Sequence, residues 1–210
     1  MKKALPIFVL AALCAAPVAA APPSLTLKAA PIVVSYGGTS TLSGVLSTQK
    51  TGQAIDIQAQ ECGQNAFKKT ASATTTTGGA FSYAAKPTIN TNYQAKLKGS
   101  TSPSVAVKVA PLVQLKVAGG ALFRNFNATV TAAQTFSGKY VVFQRRNRLK
   151  HKWSTIKKVT LTTQSGKAPT IVTSKSFTVR IIGHPLTRLI LPAAQAGTCY
   201  LSATSKAIKS

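Results

Sequence analysis

The chain has 210 residues, and its 26 Lys plus Arg stand against two acidic residues, for a formal net charge of +24. With Asp56 and Glu61 as the whole carboxylate supply, it lacks the choice of paired acids on which general acid/base and glycoside chemistry rely, so a non-enzymatic protein is expected. Such an imbalance draws anionic polymers or anionic surfaces by long-range attraction and says little about the fold.

At the N-terminus, Lys2 and Lys3 precede an apolar run from Ala4 to Val18 and the small residues Ala19, Ala20 and Ala21. This pattern predicts a cleaved signal peptide over residues 1–21. The run is shorter than the roughly 20 residues a spanning helix needs, and it contains Pro6 and Pro17. No transmembrane segment is expected there or later. The expected location is therefore outside the cytoplasm: secreted, periplasmic or associated with the cell envelope. Cys14 follows Leu13, where lipoprotein processing wants a small residue, so lipidation is not expected.

Beyond the signal peptide, β-branched residues and alternation dominate, and no helical period runs through the chain. Strands are predicted at Leu25 to Lys28, Thr41 to Leu46, Ala54 to Gln60, Lys68 to Thr76, Phe81 to Ala84, Asn92 to Lys98 and Ser104 to Val109. Between them lie the turn signals Gly37-Gly38, Thr51-Gly52, Gly78-Gly79, Lys86-Pro87 and Ser102-Pro103. A second series follows at Leu115 to Val117, Asn127 to Ala132, Tyr140 to Arg146, Trp153 to Leu161, Ser176 to Ile182, Thr187 to Leu191 and Tyr200 to Ala203.

The two series echo each other. At an offset of 86, Gly138 falls on Gly52, Val141 on Ile55, Phe143 on Ile57, Gln144 on Gln58 and Trp153 on Phe67. Further on the offset becomes 96, with Phe177 on Phe81 and Leu189 on Tyr93. The ten added residues fall within Thr162 to Thr173 and read as a longer loop or an extra edge segment. A fold class follows: all-β, with two tandem antiparallel β-sandwich domains, at 22–110 and 111–210. The junction Val109-Ala110-Pro111-Leu112 is too short for a free linker and predicts a semi-rigid pair.

A turn glycine before a strand (Thr51-Gly52-Gln53), a Thr-rich strand running into Gly78-Gly79-Ala80-Phe81-Ser82, then Lys86-Pro87 and Thr91-Asn92-Tyr93, resembles the Ig-like modules of exported bacterial proteins. The resemblance covers most of the chain after residue 21. The second copy departs from it at Thr173-Ser174-Lys175-Ser176, where the glycine turn would stand. It implies an Ig-like sandwich with display, adhesion or wall-associated roles, and it carries no shared catalytic residues.

Charge is not shared equally. Residues Pro22 to Ala110 hold eight Lys and both acids, a net +6, whereas Pro111 to Ser210 hold 16 Lys plus Arg and no acid, a net +16. The densest cluster is Arg145, Arg146, Arg148, Lys150, Lys152, Lys157 and Lys158, for which the first copy offers only Lys68 and Lys69. Arginine forks suit bidentate contacts to phosphate or sulfate, and neighbouring lysines add point charges. These seven residues are the candidate polyanion-binding site. Trp153, at a large apolar position of the repeat, is expected in the core rather than as a stacking platform. Arg124, Lys139, Lys167, Lys175, Arg180, Arg188, Lys206 and Lys209 are candidates to extend the patch.

His151 and His184 lack metal-ligand spacing and are expected to be loop histidines; no metal or cofactor is expected. Cys62 and Cys199 leave two readings open, an inter-repeat disulfide or two unpaired thiols. The expected partner is an anionic polymer, whether a wall polymer, envelope lipid or extracellular nucleic acid. The alternative is a surface protein met by exposed strand edges, or a structural spacer.

Overall fold

The structure is a computed structural model that describes residues 23–119 and 122–210; the expected signal peptide lies outside them. Residues 28–110 supply β1 (Lys28–Ala30), β2 (Val33–Ser35), β3 (Ser40–Val45), β4 (Ala54–Glu61), β5 (Lys68–Thr74), β6 (Ala80–Ala85), β7 (Thr91–Leu97), β8 (Ser100–Thr101) and β9 (Val105–Ala110). They form a three-stranded sheet, β1-β3-β6, and a six-stranded one, β2-β9-β7-β4-β5 with β8 on β7. Alternation explains the two layers. In β4 the buried Ile55, Ile57 and Ala59 face one way, toward Leu42 and Phe81 of the smaller sheet, and Asp56 points outward.

The first predicted strand is corrected. Leu25 makes only a bridge to Leu46, and the regular strands start at Lys28. Pro31 and Ile32 then break the run, so β1 pairs antiparallel with β3 whereas β2 pairs parallel with β9 in the other sheet. A proline offers no N–H to a ladder, which makes it a natural place to change sheets.

The second series comprises β10 (Leu112–Val117), β11 (Phe123–Ala132), β12 (Tyr140–Arg146), β13 (Trp153–Thr160), β14 (Thr163–Lys167), β15 (Thr170–Arg180), β16 (Leu186–Leu191), the short helix α1 (Ala193–Ala196), β17 (Ala203–Thr204) and β18 (Ile208–Lys209). The sheets are β10-β11-β15-β14 and β13-β12-β16-β17, with β18 on β16. Phe143 of the second sheet packs against Phe126 and Phe177 of the first at centroid distances of 4.9 and 5.2 Å, a cross-sheet aromatic core. The fold is all-β and built of sandwiched sheets that are antiparallel except for the β2–β9 pair.

The registers of the two halves correspond. The β4–β5 pairing shifts after Ile57, and the β12–β13 pairing shifts after Phe143, its counterpart at an offset of 86. In the next strand the offset is corrected: Ile57 pairs with Ala95 and Phe143 with Leu189, an offset of 94 where the sequence alignment gives 96. Side-chain bonds agree, since Ser102 accepts from the Ala95 N–H at 2.9 Å and Ser205 from the Leu189 N–H at 2.9 Å.

The added residues form the β14–β15 hairpin, with β14 as an edge strand. Its turn reaches the first half: the Tyr36 hydroxyl donates to the Pro169 carbonyl at 2.7 Å and lies 2.8 Å from Thr170 Oγ1. Pro111 alone separates β9 from β10. A disulfide joins Cys62 to Cys199, whose Cα atoms are 5.4 Å apart. Beside it Asn90 donates its N–H to the Cys199 carbonyl at 3.1 Å and accepts from the Val109 N–H at 2.8 Å. The Tyr200 hydroxyl donates to the Thr88 carbonyl at 2.9 Å and accepts from the Ala133 N–H at 3.0 Å. These bonds explain why the predicted strand at Tyr200 to Ala203 shrinks to Ala203–Thr204: the Cys199 carbonyl and the Leu201 N–H, which donates to the Val109 carbonyl at 2.9 Å, are spent on the first half instead of on a sheet partner.

Candidate anion-binding surface

Strands β12 and β13 are joined by a tight turn. The Asn147 N–H donates to the Lys152 carbonyl at 2.8 Å, and the Asn147 side-chain oxygen accepts from the N–H groups of Leu149 and Lys150, both at 2.9 Å. An asparagine that bonds its own following backbone holds such a turn without help from the rest of the chain. His151 takes the left-handed conformation that closes it, with φ of 50°. Arg148, Lys150 and Lys152 are therefore displayed in solvent, while Arg145 and Arg146 at the strand end are half-buried.

The chain also returns to this turn. The loop between β15 and β16 brings His184, and the C-terminal β18, paired with Leu186 and Thr187, brings Lys209. Arg146, Arg148, His151, His184, Leu186 and Lys209 line one cleft of about 520 Å³. A smaller concavity of about 240 Å³ beside it is bounded by Arg145, Arg146, Arg148, Leu149, Ile182 and Pro185. The Arg146 Nε donates to the His151 carbonyl at 3.4 Å, which leaves its terminal nitrogens to the cleft. The His184 Nδ1 lies 3.0 Å from the Ser210 carbonyl oxygen.

The predicted cluster thus divides. Arg145, Arg146, Arg148, Lys150 and Lys152 share the hairpin end, whereas Lys157 and Lys158 lie part-way along β13. Lys158 sits over the Tyr140 ring at 5.0 Å, and Lys157 stands opposite Phe143. Trp153 is corrected as well. It is half-buried on the outer face, across from Arg146, and the Arg188 guanidinium stacks on its ring at 4.0 Å. Arg188 is held flat there by a bond from its Nε to Gln144 at 3.0 Å. The expectation of a core tryptophan fails because Trp153 opens the edge strand on the outward register, where only the flanking arginines can cover it.

No protein-family model and no curated protein matches the chain. The site therefore stands on its own geometry.

Its electrostatics are one-sided. Among the described residues the only ion pair is Lys69 with Asp56 at 2.6 Å, in the first half and exposed. The Lys69 ammonium holds the Asp56 carboxyl below the usual carboxylate range, against some desolvation and with smaller help from Ser72 and Lys96. The second half contains no carboxylate side chain to neutralise its cleft. Among the described residues no three His, Cys, Asp or Glu side chains gather as metal ligands would, and no helix is long and apolar enough to cross a membrane.

Lys209, a candidate to extend the patch, does line the cleft, whereas His184, expected only as a loop histidine, joins it unforeseen. They reach the turn only because β16 and β18 fold back beside it, and no local spacing signals that. Arg124, a candidate for the surface, is instead buried, 5 % exposed. It lies on the inward register of β11 next to Phe126, and its Nε has no hydrogen-bond partner.

Proposed function

We propose that the protein is an exported, non-enzymatic binding protein of two Ig-like sandwich modules, residues 22–110 and 111–210, behind a signal peptide at 1–21. The second module engages anionic polymers or envelope surfaces through the hairpin end. One observation carries the reading: Arg146, Arg148, His151, His184 and Lys209, drawn from three separate elements, line a single cleft in a half without an acidic side chain. Guanidinium forks grip phosphate or sulfate in the plane of two oxygens, and lysines add charge without demanding geometry. Wall polymers, envelope lipids and extracellular nucleic acid all carry such groups.

The test is binding of fluorescent polyphosphate and of single-stranded DNA to the whole chain and to R145Q/R146Q/R148Q/K150Q. The variant is expected to bind both at least tenfold more weakly while keeping the wild-type melting temperature. Undiminished binding by the folded variant contradicts the proposal.

A second reading, a protein-interaction module, draws support from β14. All five of its residues are exposed, and it ends the β10-β11-β15-β14 sheet. Its outer edge is open to an added strand. A partner held there would survive the arginine substitutions.

A further inference from the structure

The hairpin end carries apolar side chains as well as charge. Leu149, at the tip of the turn, is 92 % exposed, Ile182 is 73 % exposed and Phe123 is 63 % exposed. Leu149 and Ile182 line the same concavity with Arg145, Arg146 and Arg148. Phe123 belongs to this end because it pairs with Arg180, two residues before Ile182, and because the Ile181 N–H donates to the carbonyl of Leu122 at 2.9 Å. Leu122 is itself half-exposed, at 52 %. Large aliphatic and aromatic side chains bared at the same end as these arginines are not explained by a hydrated polyanion, which offers nothing apolar to meet them.

The position in the fold adds to this. Phe123 and Arg180 stand at one end of the β11–β15 pair, and Ala132 and Ile171 at the other, the two ends of the 10-residue β11. That far end is where Pro111, the Cys62–Cys199 bridge and the Tyr36–Pro169 bond fasten the first half. The hairpin end is thus the free tip of the molecule, about 30 Å from the junction at the usual strand rise. Just beneath the tip is Arg124, a buried guanidinium whose Nε has no partner.

We propose, building on the polyanion reading, that this tip docks on the surface of an anionic lipid bilayer. The arginines and lysines meet the phosphate layer, and Leu149, Ile182 and Phe123 enter the boundary between headgroups and acyl chains. A bilayer is the partner that offers both layers in that order, a negative surface with apolar material a few ångströms deeper. The charge complements it, since the second half has no acidic side chain to repel phosphate. Docked this way, the first half points away from the membrane and is presented by it.

The experiment is co-sedimentation of the whole chain with vesicles of phosphatidylcholine, alone or mixed with phosphatidylglycerol, in about 0.1 M salt, where screening acts over about 10 Å. Soluble polyphosphate binding is measured in parallel. Wild type is expected on the mixed vesicles and not on phosphatidylcholine alone. L149S/I182S is expected to lose roughly tenfold or more of its vesicle partitioning, the size expected for two exposed side chains entering an apolar phase, while binding polyphosphate as wild type does. Both positions are exposed, so the fold is not at risk, and unchanged near-UV circular dichroism checks this. The lipid proposal is overturned if L149S/I182S partitions like wild type, or if wild type binds polyphosphate and ignores the mixed vesicles. Failure on polyphosphate and vesicles alike overturns the polyanion reading too.

Discussion

Two tyrosines tie the stability of the fold to alkaline pH. Burial pushes the Tyr93 phenol up to about 12 and moves Tyr200 in the same direction, with bonds from Thr91 and Ala133 respectively working against the shift. The folded state thus holds these protons more tightly than the unfolded chain. Their contribution is complete below the ordinary phenol range near about pH 10 and is lost as pH rises toward about 12. The denaturation midpoint is expected to be flat through neutral pH and to fall over that window, less steeply in Tyr93→Phe; a midpoint unchanged to pH 12 would contradict this. Gly44 gives a second test. A methyl group there would press on the Thr26 carbonyl and on the Phe81 ring, at 2.5 Å from its Cζ. Gly44→Ala is expected to cost about 1–3 kcal/mol in equilibrium unfolding. Single residues also mark what a sequence can and cannot say. Alternation turns Asp56 outward between the buried Ile55 and Ile57, and it can be read from the sequence because the period of a strand is local. Matching of the repeats misplaced Trp153, since a repeat position transmits size but not the face on which an edge strand turns outward.

At the scale of elements, the hairpin from Arg145 to Trp153 is a self-contained turn. Asn147 supplies its restraint, so Asn147→Ala is expected to leave the melting temperature within about 1 °C while loosening the tip. Amide exchange at Leu149 and Lys150 should accelerate severalfold once their acceptor is gone. The element was legible because its charge is contiguous in the chain and absent from the first copy. The cleft beside it was not legible, because His184 and Lys209 arrive from elements that end far away in sequence. The added segment within 162–173 was visible as surplus length, and it takes strand form by pairing as the β14–β15 hairpin. Nothing local signals that its turn would bond Tyr36, 133 residues upstream of Pro169.

For the molecule as a whole, the Cys62–Cys199 bridge joins positions 137 residues apart and removes much of the freedom of the unfolded chain. C62S/C199S is expected to unfold about 2–5 kcal/mol more easily. Asn90 and Tyr200 remain to hold the junction, so the variant should stay folded at room temperature. Composition announced the polarity of the molecule before any strand was placed, and the structure turns that polarity into a direction, with the junction at one end and the basic tip at the other.

The central claim, that this tip binds anions by charge, is tested most directly by the salt dependence of polyphosphate affinity. Wild type is expected to give a steep linear fall of log affinity with log salt. R145Q/R146Q/R148Q/K150Q is expected to flatten that slope by about 3, at roughly 0.7 for each phosphate no longer neutralised. A wild-type affinity that does not change with salt, or a slope that the four substitutions leave untouched, would contradict the account.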